Sequence, residues 1–327
     1  MRILYIYRNP KLGFSIEKVF NTLEKEISKY ENIESIYLPC SNYKILSLYK
    51  NIKYLLQFIK GKNYDIIHIT GTEHYLLPFL RKYNTVITVH DLGFYTREKK
   101  TFRLFLKYLL WIKTLKLAKY VTFISETSKK ETLLLENIKK YTVIYNPIDS
   151  SFVENKKIFN TKCPIILHIG TKVNKNLINS IKAMSGLSCR LRIVGKLNEK
   201  QIETLDQYKI NYSNVYNLTD DKILEEYINC DIVNFPSIYE GFGMPIIEAQ
   251  AVGRIVITSN IEPMKTIANN AAIIVDPYCV ESIKKGYIQA LNFDFRILQK
   301  GLINAKNFEV SYIAHKYLDL YKTILTK

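Results

Sequence analysis

Cysteine is scarce and scattered: Cys40, Cys163, Cys189, Cys230 and Cys279 include no C-x-x-C pair. Neither a zinc site nor a disulfide framework is indicated, and a reduced, cytosolic protein is expected. No apolar run reaches the roughly 18 residues that span a bilayer. The N-terminus, MRILYIYRNPK, has too short an apolar stretch for a secretory signal and reads as a first β-strand. Repeats are absent, and so are low-complexity tracts beyond a bias towards lysine and tyrosine. Acidic residues are in deficit, 30 Asp+Glu against 47 Lys+Arg, for a formal net charge of +17. The deficit is uneven. Residues 1–160 hold 27 Lys+Arg against 14 Asp+Glu, whereas residues 161–327 hold 20 against 16. Basicity gathered in one half implies a partner there: anionic membrane lipid, nucleic acid or a phosphorylated substrate. The plainer alternative is a lysine-rich composition with no such partner.

What is present fits an ordinary globular chain. A length of 327 residues exceeds what one hydrophobic core usually serves, so two domains are expected. A hydrophobic fraction of 47% and a charged fraction of 24% exclude a largely disordered chain. Short β-branched and aromatic runs recur: 2–7, 35–38, 65–70, 85–90, 120–125 and 141–146, then 165–170, 189–195, 214–218, 231–236, 254–259 and 271–276. They lack strict alternation, as strands buried on both faces of a parallel sheet do. Several intervening segments suit crossover helices, FSIEKVFNTLEKEISKY among them. The fold class expected is α/β, with two consecutive doubly wound, Rossmann-like domains. The pattern resets after a polar stretch with prolines at both ends, YNPIDSSFVENKKIFNTKCP, which places the domains at 1–160 and 161–309. The final segment, 310–327, is apolar at helical spacing (Ile313, Tyr317, Leu320, Ile324) and is expected to cross back onto the first domain.

The most specific stretch is PSIYEGFGMPIIEAQAVG, 236–253. A strand ends near Pro236, Gly241 and Gly243 bracket Phe242, and Pro245 opens a helix, where its fixed φ and missing N–H cost nothing. A glycine-bearing loop entering a helix offers free N–H groups and a positive dipole end to an anion. Glu240 stands in the loop and Glu248 inside the helix. Carboxylates beside an anion site would repel the ligand unless its hydroxyls are their partners. The alternative is a tight turn in which Glu248 merely favours the helix start. Gly170, Thr171 and Lys172 follow another strand, and Lys175-Asn176 opens the next helix, a second strand–loop–helix anion site. His90-Asp91 ends an apolar strand, at the sheet edge where ligands bind. His168, inside its strand, reads as a core residue. Ser125-Glu126 and Asn146-Pro147 read as caps or hinges as readily as contacts.

With Glu240 and Glu248 in E-x7-E spacing, this sequence resembles the retaining glycosyltransferases of family 4, of the two-Rossmann architecture called GT-B. LHIGTKVNKNL, LRIVGKL, YINCDIVNFPS and VITSNIEPMKTIANNAAIIVDP extend the resemblance over most of 160–310, and TVHDLGF, FISETSKKE and YNPID carry it more weakly into the first half. It implies two domains facing across a cleft, the first for the acceptor and the second for a nucleotide-sugar. Glu248 would hold ribose hydroxyls and Glu240 those of the transferred sugar. Backbone around Gly241, Phe242, Gly243, Met244 and Pro245 would touch sugar and distal phosphate. Lys175 would neutralise the leaving diphosphate, and His90 would act near sugar and acceptor as a catalytic residue. Gly170, Thr171 and Lys172 would complete the donor loop, while Gly13 and Asp91 would belong to the acceptor side. The family often has arginine where Thr171 stands, and Lys172 would supply that second charge. It commonly shows paired glycines near the N-terminus, where only Gly13 of PKLGFSIE is found.

No Asp-x-Asp occurs, so the usual metal-holding signature for a diphosphate is missing, and neither metal nor cofactor is expected. A lysine and a helix N-terminus can perform that electrostatic task. Residues 97–119, REKKTFRLFLKYLLWIKTLKLAK, form a basic helix candidate. At helical spacing Lys100, Arg103, Lys107, Trp111 and Thr114 share a stripe, suited to an anionic membrane, with Phe102, Phe105, Leu106 and Leu109 projecting elsewhere. The function expected is sugar transfer from a nucleotide-sugar to a saccharide or lipid-linked acceptor in polysaccharide or glycolipid assembly, at the inner leaflet. A nucleotide-sugar epimerase of the same build is one alternative. A nucleic-acid-binding protein is another, although no aromatic-basic recognition motif accompanies the charge and no nucleic-acid partner is expected.

Overall fold

The computed structural model describes residues 1–13, 15–96, 100–292 and 294–326. Two compact units result, one formed by Met1–Asp149 with the chain from Val310 onward, the other by Ser150–Glu309. The first holds a parallel six-stranded sheet: β1 (Arg2–Tyr7), β2 (Asn32–Tyr37), β3 (Ile66–Ile69), β4 (Thr85–Val89), β5 (Tyr120–Phe123) and β6 (Tyr141–Val143). Its spatial order is β2-β1-β3-β4-β5-β6. The second holds β7 (Ile165–Ile169), β8 (Arg190–Val194), β9 (Tyr212–Val215), β10 (Ile232–Phe235), β11 (Ile255–Ser259) and β12 (Ile273–Val275), ordered β12-β11-β10-β7-β8-β9. Every strand candidate overlaps one of these strands, and every adjacent pair is parallel. Strands β3, β4 and β11 are buried along their whole length, which is why their sequences show no polar alternation.

The units divide at Asp149–Ser150, ahead of the break expected at 160. The polar stretch after Ser150 already packs on the second unit. Asn155 N–H donates to the Val252 carbonyl, the buried Arg254 guanidinium reaches the Asn155 carbonyl at 2.8 Å, and Lys157 pairs with the buried Asp231. A helix over Val310–Leu325 packs in the first unit, with Ile313, Tyr317, Leu320 and Ile324 buried. Its Tyr321 hydroxyl meets His68 Nδ1 at 2.6 Å and Tyr5 Oη at 3.0 Å, while His68 Nε2 meets Thr88 Oγ1 at 2.8 Å. The helix thus docks through a satisfied buried polar chain as well as through apolar burial.

The basic stretch departs from its expected form. Residues 97–99 lie outside the described residues. From Thr101 the chain is α-helical only to Lys107, then forms a π-turn over Tyr108–Ile112 and a 3-10 turn over Lys113–Leu117. The wider turn resets the angular phase, so Trp111 and Thr114 fall into the interior. Trp111 packs edge-on to Tyr43 and Tyr75. No single stripe from Lys100 to Thr114 forms. Instead Phe102 and Phe105, 71% and 57% exposed, share the outer surface with Arg103 and Leu106.

Candidate active site

In the second sheet β7 lies between β8 and β10, so the chain leaves β7 on one side and returns through β10 on the other. Loops diverge at such a point and open a crevice outside the carboxyl ends of the strands. After β7, Gly170 adopts φ +91°, and the Lys175 stem lies where a Cβ would be, 2.9 Å away. Only glycine combines that backbone with that approach. A 3-10 turn over Val173–Lys175 and a left-handed Asn176 (φ 63°) lead into the helix Leu177–Met184. Asn176 donates to the carbonyls of Pro236 (3.0 Å) and Pro277 (2.7 Å), tying together the loops after β7, β10 and β12. This frame aims Lys175 Nζ at Glu240 Oε1, 2.7 Å away, with the ammonium 4.6 Å from the Phe235 ring centre. Asn174 Nδ2 supports the same loop, donating to the Tyr239 carbonyl at 3.1 Å and Glu240 Oε1 at 3.3 Å.

Gly243, at φ +112°, precedes the helix Met244–Val252, with Pro245 in its first turn. That first turn carries no acidic residue and receives no side-chain cap. Its positive end is available to an anion. Phe242 is buried edge-on against Phe308, so it anchors the loop and offers a ligand its backbone rather than its ring. Glu248, half-buried on this helix, accepts a 2.6 Å hydrogen bond from Tyr227 Oη. Burial pushes that phenol far above its ordinary range, so it stays a donor and fixes the carboxylate's orientation. Thr171 is occupied structurally: its hydroxyl donates to the Lys196 carbonyl at 2.7 Å, and its own carbonyl accepts from Gln201. Lys172 is exposed and precedes the 3-10 turn, where its carbonyl accepts from the Lys175 N–H at 2.8 Å.

The first unit has its own crossing point, where β1 lies between β2 and β3. After β1, the Arg8 guanidinium forms a two-pronged pair with Glu17, at 2.6 and 3.1 Å. Gly13, φ +143°, ends a 3-10 turn over Pro10–Leu12, and a Cβ there would stand 3.1 Å from Arg8 Nη2. His90 follows β4 and is buried; its Nε2 donates to the Thr70 carbonyl at 2.8 Å. A carbonyl only accepts, so Nε2 carries the proton. Burial lowers this imidazole to about 4, and it is neutral at physiological pH. Asp91 Oδ1 accepts from Gly93 N–H at 2.7 Å, which caps the short helix Gly93–Thr96. Among the described residues no group of three or more His, Cys, Asp or Glu is placed to hold a metal ion.

Two family models divide the chain. Residues 149–306 match the Glycosyl transferases group 1 model, and residues 18–152 match Glycosyltransferase Family 4. The chain belongs to the family 4 glycosyltransferases of GT-B type. This glycosyltransferase is 26% identical over 277 residues to the O-antigen chain mannosyltransferase RfbU of Salmonella typhimurium strain LT2, covering 82% of this chain and 74% of that protein. In fold it is similar to sucrose-phosphate synthase from Thermosynechococcus elongatus, with a TM-score of 0.81 at 16% identity over 100% and 99% of the two chains. It is likewise similar to Anabaena HepE in complex with UDP and glucose, with a TM-score of 0.76 at 14% identity over 99% and 100%.

Within the glycosyltransferase, the folded second unit brings Lys175 into contact with both Gly170 and Glu240 and sets Gly243, Met244 and Pro245 at the start of the helix carrying Glu248. Sequence alone does not single out Asn174, Tyr227 or the tying role of Asn176. The asparagine of Lys175-Asn176 was the available signal, because asparagine tolerates the left-handed conformation it adopts. His168 is a core residue, buried and held by Asn234 at 3.0 Å.

Proposed function

We propose that this glycosyltransferase moves a hexose-type sugar, with retention at the anomeric carbon, from a nucleotide-sugar held by the second unit. The acceptor, held by the first unit, is a saccharide or a lipid-linked saccharide of cell-surface polysaccharide or glycolipid assembly. The observation that carries the reading is the Lys175–Glu240 contact at the β7–β10 crossing point, beside an uncapped helix start. Lys175 and the N–H groups at Gly243–Pro245 would stabilise charge developing on the leaving diphosphate. Glu240 would accept hydroxyls of the transferred sugar, and Glu248, oriented by Tyr227, those of the ribose. Neutral His90, with its Nε2–H given to the Thr70 carbonyl, would accept a hydrogen bond at Nδ1 from a hydroxyl near the reacting sugar without adding charge. The RfbU relative is an O-antigen mannosyltransferase, which supports an envelope-polysaccharide role.

Thermal-shift screening against UDP-, GDP-, dTDP- and CDP-sugars tests the donor reading. At least one should raise the melting temperature of the chain, since a ligand binding only the native state stabilises it. No shift from any of them would end it. Because the charge on the leaving group would be met by Lys175 and a helix dipole, turnover of that donor should persist in excess EDTA. A loss on chelation that added divalent cation restores would overturn the metal-independent mechanism.

Peripheral association with the anionic inner leaflet belongs to the same reading. No helix among the described residues is long and apolar enough to cross a membrane. Phe102 and Phe105 are exposed beside Arg103, and no Asp or Glu lies between Lys100 and Ser125. Exposed aromatics among cations suit an acidic bilayer surface. In vesicle sedimentation the protein should bind anionic vesicles over neutral ones, and replacing Phe102 and Phe105 together by serine should lower binding about tenfold or more. Equal binding to both vesicle types, or none to either, would eliminate the association.

A further inference from the structure

At the β1–β3 crossing point of the first unit lies a carboxyl group that none of the roles above uses. Glu73, after β3, is 1% exposed, and its Oε2 has no hydrogen-bond partner among the described residues. Its other oxygen is weakly served: Tyr43 Oη and Thr72 Oγ1 each stand 3.5 Å from Oε1 and sit closer to each other, at 3.0 Å. Arg8 is the nearby cation, but both prongs of its guanidinium are taken by Glu17. Gly71 leaves room for this carboxyl, since a Cβ there would stand 3.3 Å from Oε2. Tyr43, which stands over the other oxygen, Oε1, is 42% exposed, so a single side chain separates that side of the carboxyl group from the surface.

A buried carboxyl oxygen without a donor is a costly arrangement, and it is retained where a ligand completes it. We propose that Glu73 is an acceptor-binding residue, its Oε2 receiving a hydrogen bond from a sugar hydroxyl at the carboxyl edge of the first sheet. The inference rests on the reading of the first unit as the acceptor's. A neutral polyol fits better than a cation. Arg8 stands beside the site, and residues 1–160 carry 27 Lys+Arg against 14 Asp+Glu, so a positive ligand would be repelled. A hydroxyl supplies the one donor that Oε2 lacks and brings no charge. Location agrees with chemistry, because ligands of open parallel sheets bind outside the strand ends where the order reverses.

The charged and titratable groups around this carboxyl are Arg8 after β1, Glu17 on the helix Ser15–Ile27, Tyr43 ahead of the helix Ile45–Ile59, and Tyr75 after β3. Burial, opposed by Arg8 and reinforced by Glu17, raises Glu73 to about 7. Ionised Glu73 is the stronger acceptor of a hydroxyl, so saccharide binding should strengthen between pH 6 and pH 8.

Saturation-transfer NMR on the full chain without donor, using methyl glycosides of mannose, glucose, galactose and N-acetylglucosamine, tests the proposal. The wild type should bind at least one, more tightly at pH 8 than at pH 6. The isosteric Glu73→Gln should weaken that glycoside about tenfold at pH 8 and abolish the pH dependence. Glu73→Asp, with its carboxyl withdrawn by one methylene, should weaken binding while keeping the pH dependence. The melting-temperature rise given by the nucleotide-sugar should be the same in all three proteins. Undiminished binding by Glu73→Gln, no glycoside bound by the wild type, or simultaneous loss of the donor-induced rise would each overturn the proposal. Glycoside binding that behaves as described without any donor-induced rise would instead count against the donor reading alone.

Discussion

Replacing Lys175 by alanine should lower turnover of the nucleotide-sugar by about 100- to 1,000-fold, the usual cost of removing one preorganised stabiliser of transition-state charge. The size of the effect follows from how completely this ammonium is positioned. Its stem runs over Gly170, its Nζ sits near the Phe235 ring, and its partner Glu240 is held in turn by Asn174. Little reorganisation is needed when a leaving group develops charge there, so the interaction is stronger than one made by a solvated lysine. Alanine would also leave the Glu240 carboxylate without its cation at a site meant for an anion. Lys175→Arg should recover little, because a planar guanidinium does not follow the path of a narrow stem against Gly170. The measurement is steady-state turnover with the donor that thermal shift identifies. A fall confined to threefold would remove Lys175 from the chemistry.

The architecture was legible because a doubly wound sheet writes itself locally. IILHI, IVNF and IVITS show no apolar–polar alternation because both faces of their strands are covered, wholly in the last two and over residues 166–168 in the first. The donor loop was legible for a related reason: glycines, a proline and two acids at fixed spacing specify a strand, a turn and a helix start in order. What sequence concealed lay in contacts between distant segments. Nothing around Tyr227 announces that its hydroxyl orients Glu248. The break at 160 was misplaced because Ser150–Asn160 looks like a linker until the Arg254 guanidinium is seen to reach the Asn155 carbonyl. The Trp111 stripe failed for a backbone reason, a π-turn that regular helical spacing cannot anticipate. Glu73 carries no signal in sequence, since a lone glutamate acquires meaning only once burial leaves one of its oxygens without a partner.

Acidification should unfold the first unit before the second, with the loss beginning below pH 6.5. Four histidines are buried in neutral form: His68 lowered to about 3, His74 and His90 to about 4, all in the first unit, and His168 to about 3 in the second. Desolvation is the leading cause in each. For a base depressed on folding, the unfolded chain takes up the proton first, so stability falls as pH drops from 6.5 towards the folded value. Glu73, raised to about 7, works in the opposite sense, because the folded state binds its proton first between about 7 and 4.5. Carboxylates held low, such as Glu34 at about 2 beside Lys62, lose their contribution only below this window. The first unit therefore faces a net excess of roughly two protons in the unfolded state and the second roughly one. Each proton corresponds to about 1.4 kcal/mol per pH unit, so near pH 5 the first unit loses stability about twice as steeply. Trp111, the sole tryptophan and buried in the first unit, reports on that unit alone. Its emission should shift to the red with a midpoint at higher pH than the half-loss of far-ultraviolet circular dichroism, part of which the second unit still maintains. Coincident midpoints, or Trp111 emission unchanged down to pH 4.5, would show that these imidazoles do not govern acid stability. Replacing His74 by asparagine removes one of the three basic groups and should move the Trp111 midpoint to lower pH, provided that the contact with the Trp111 carbonyl is kept.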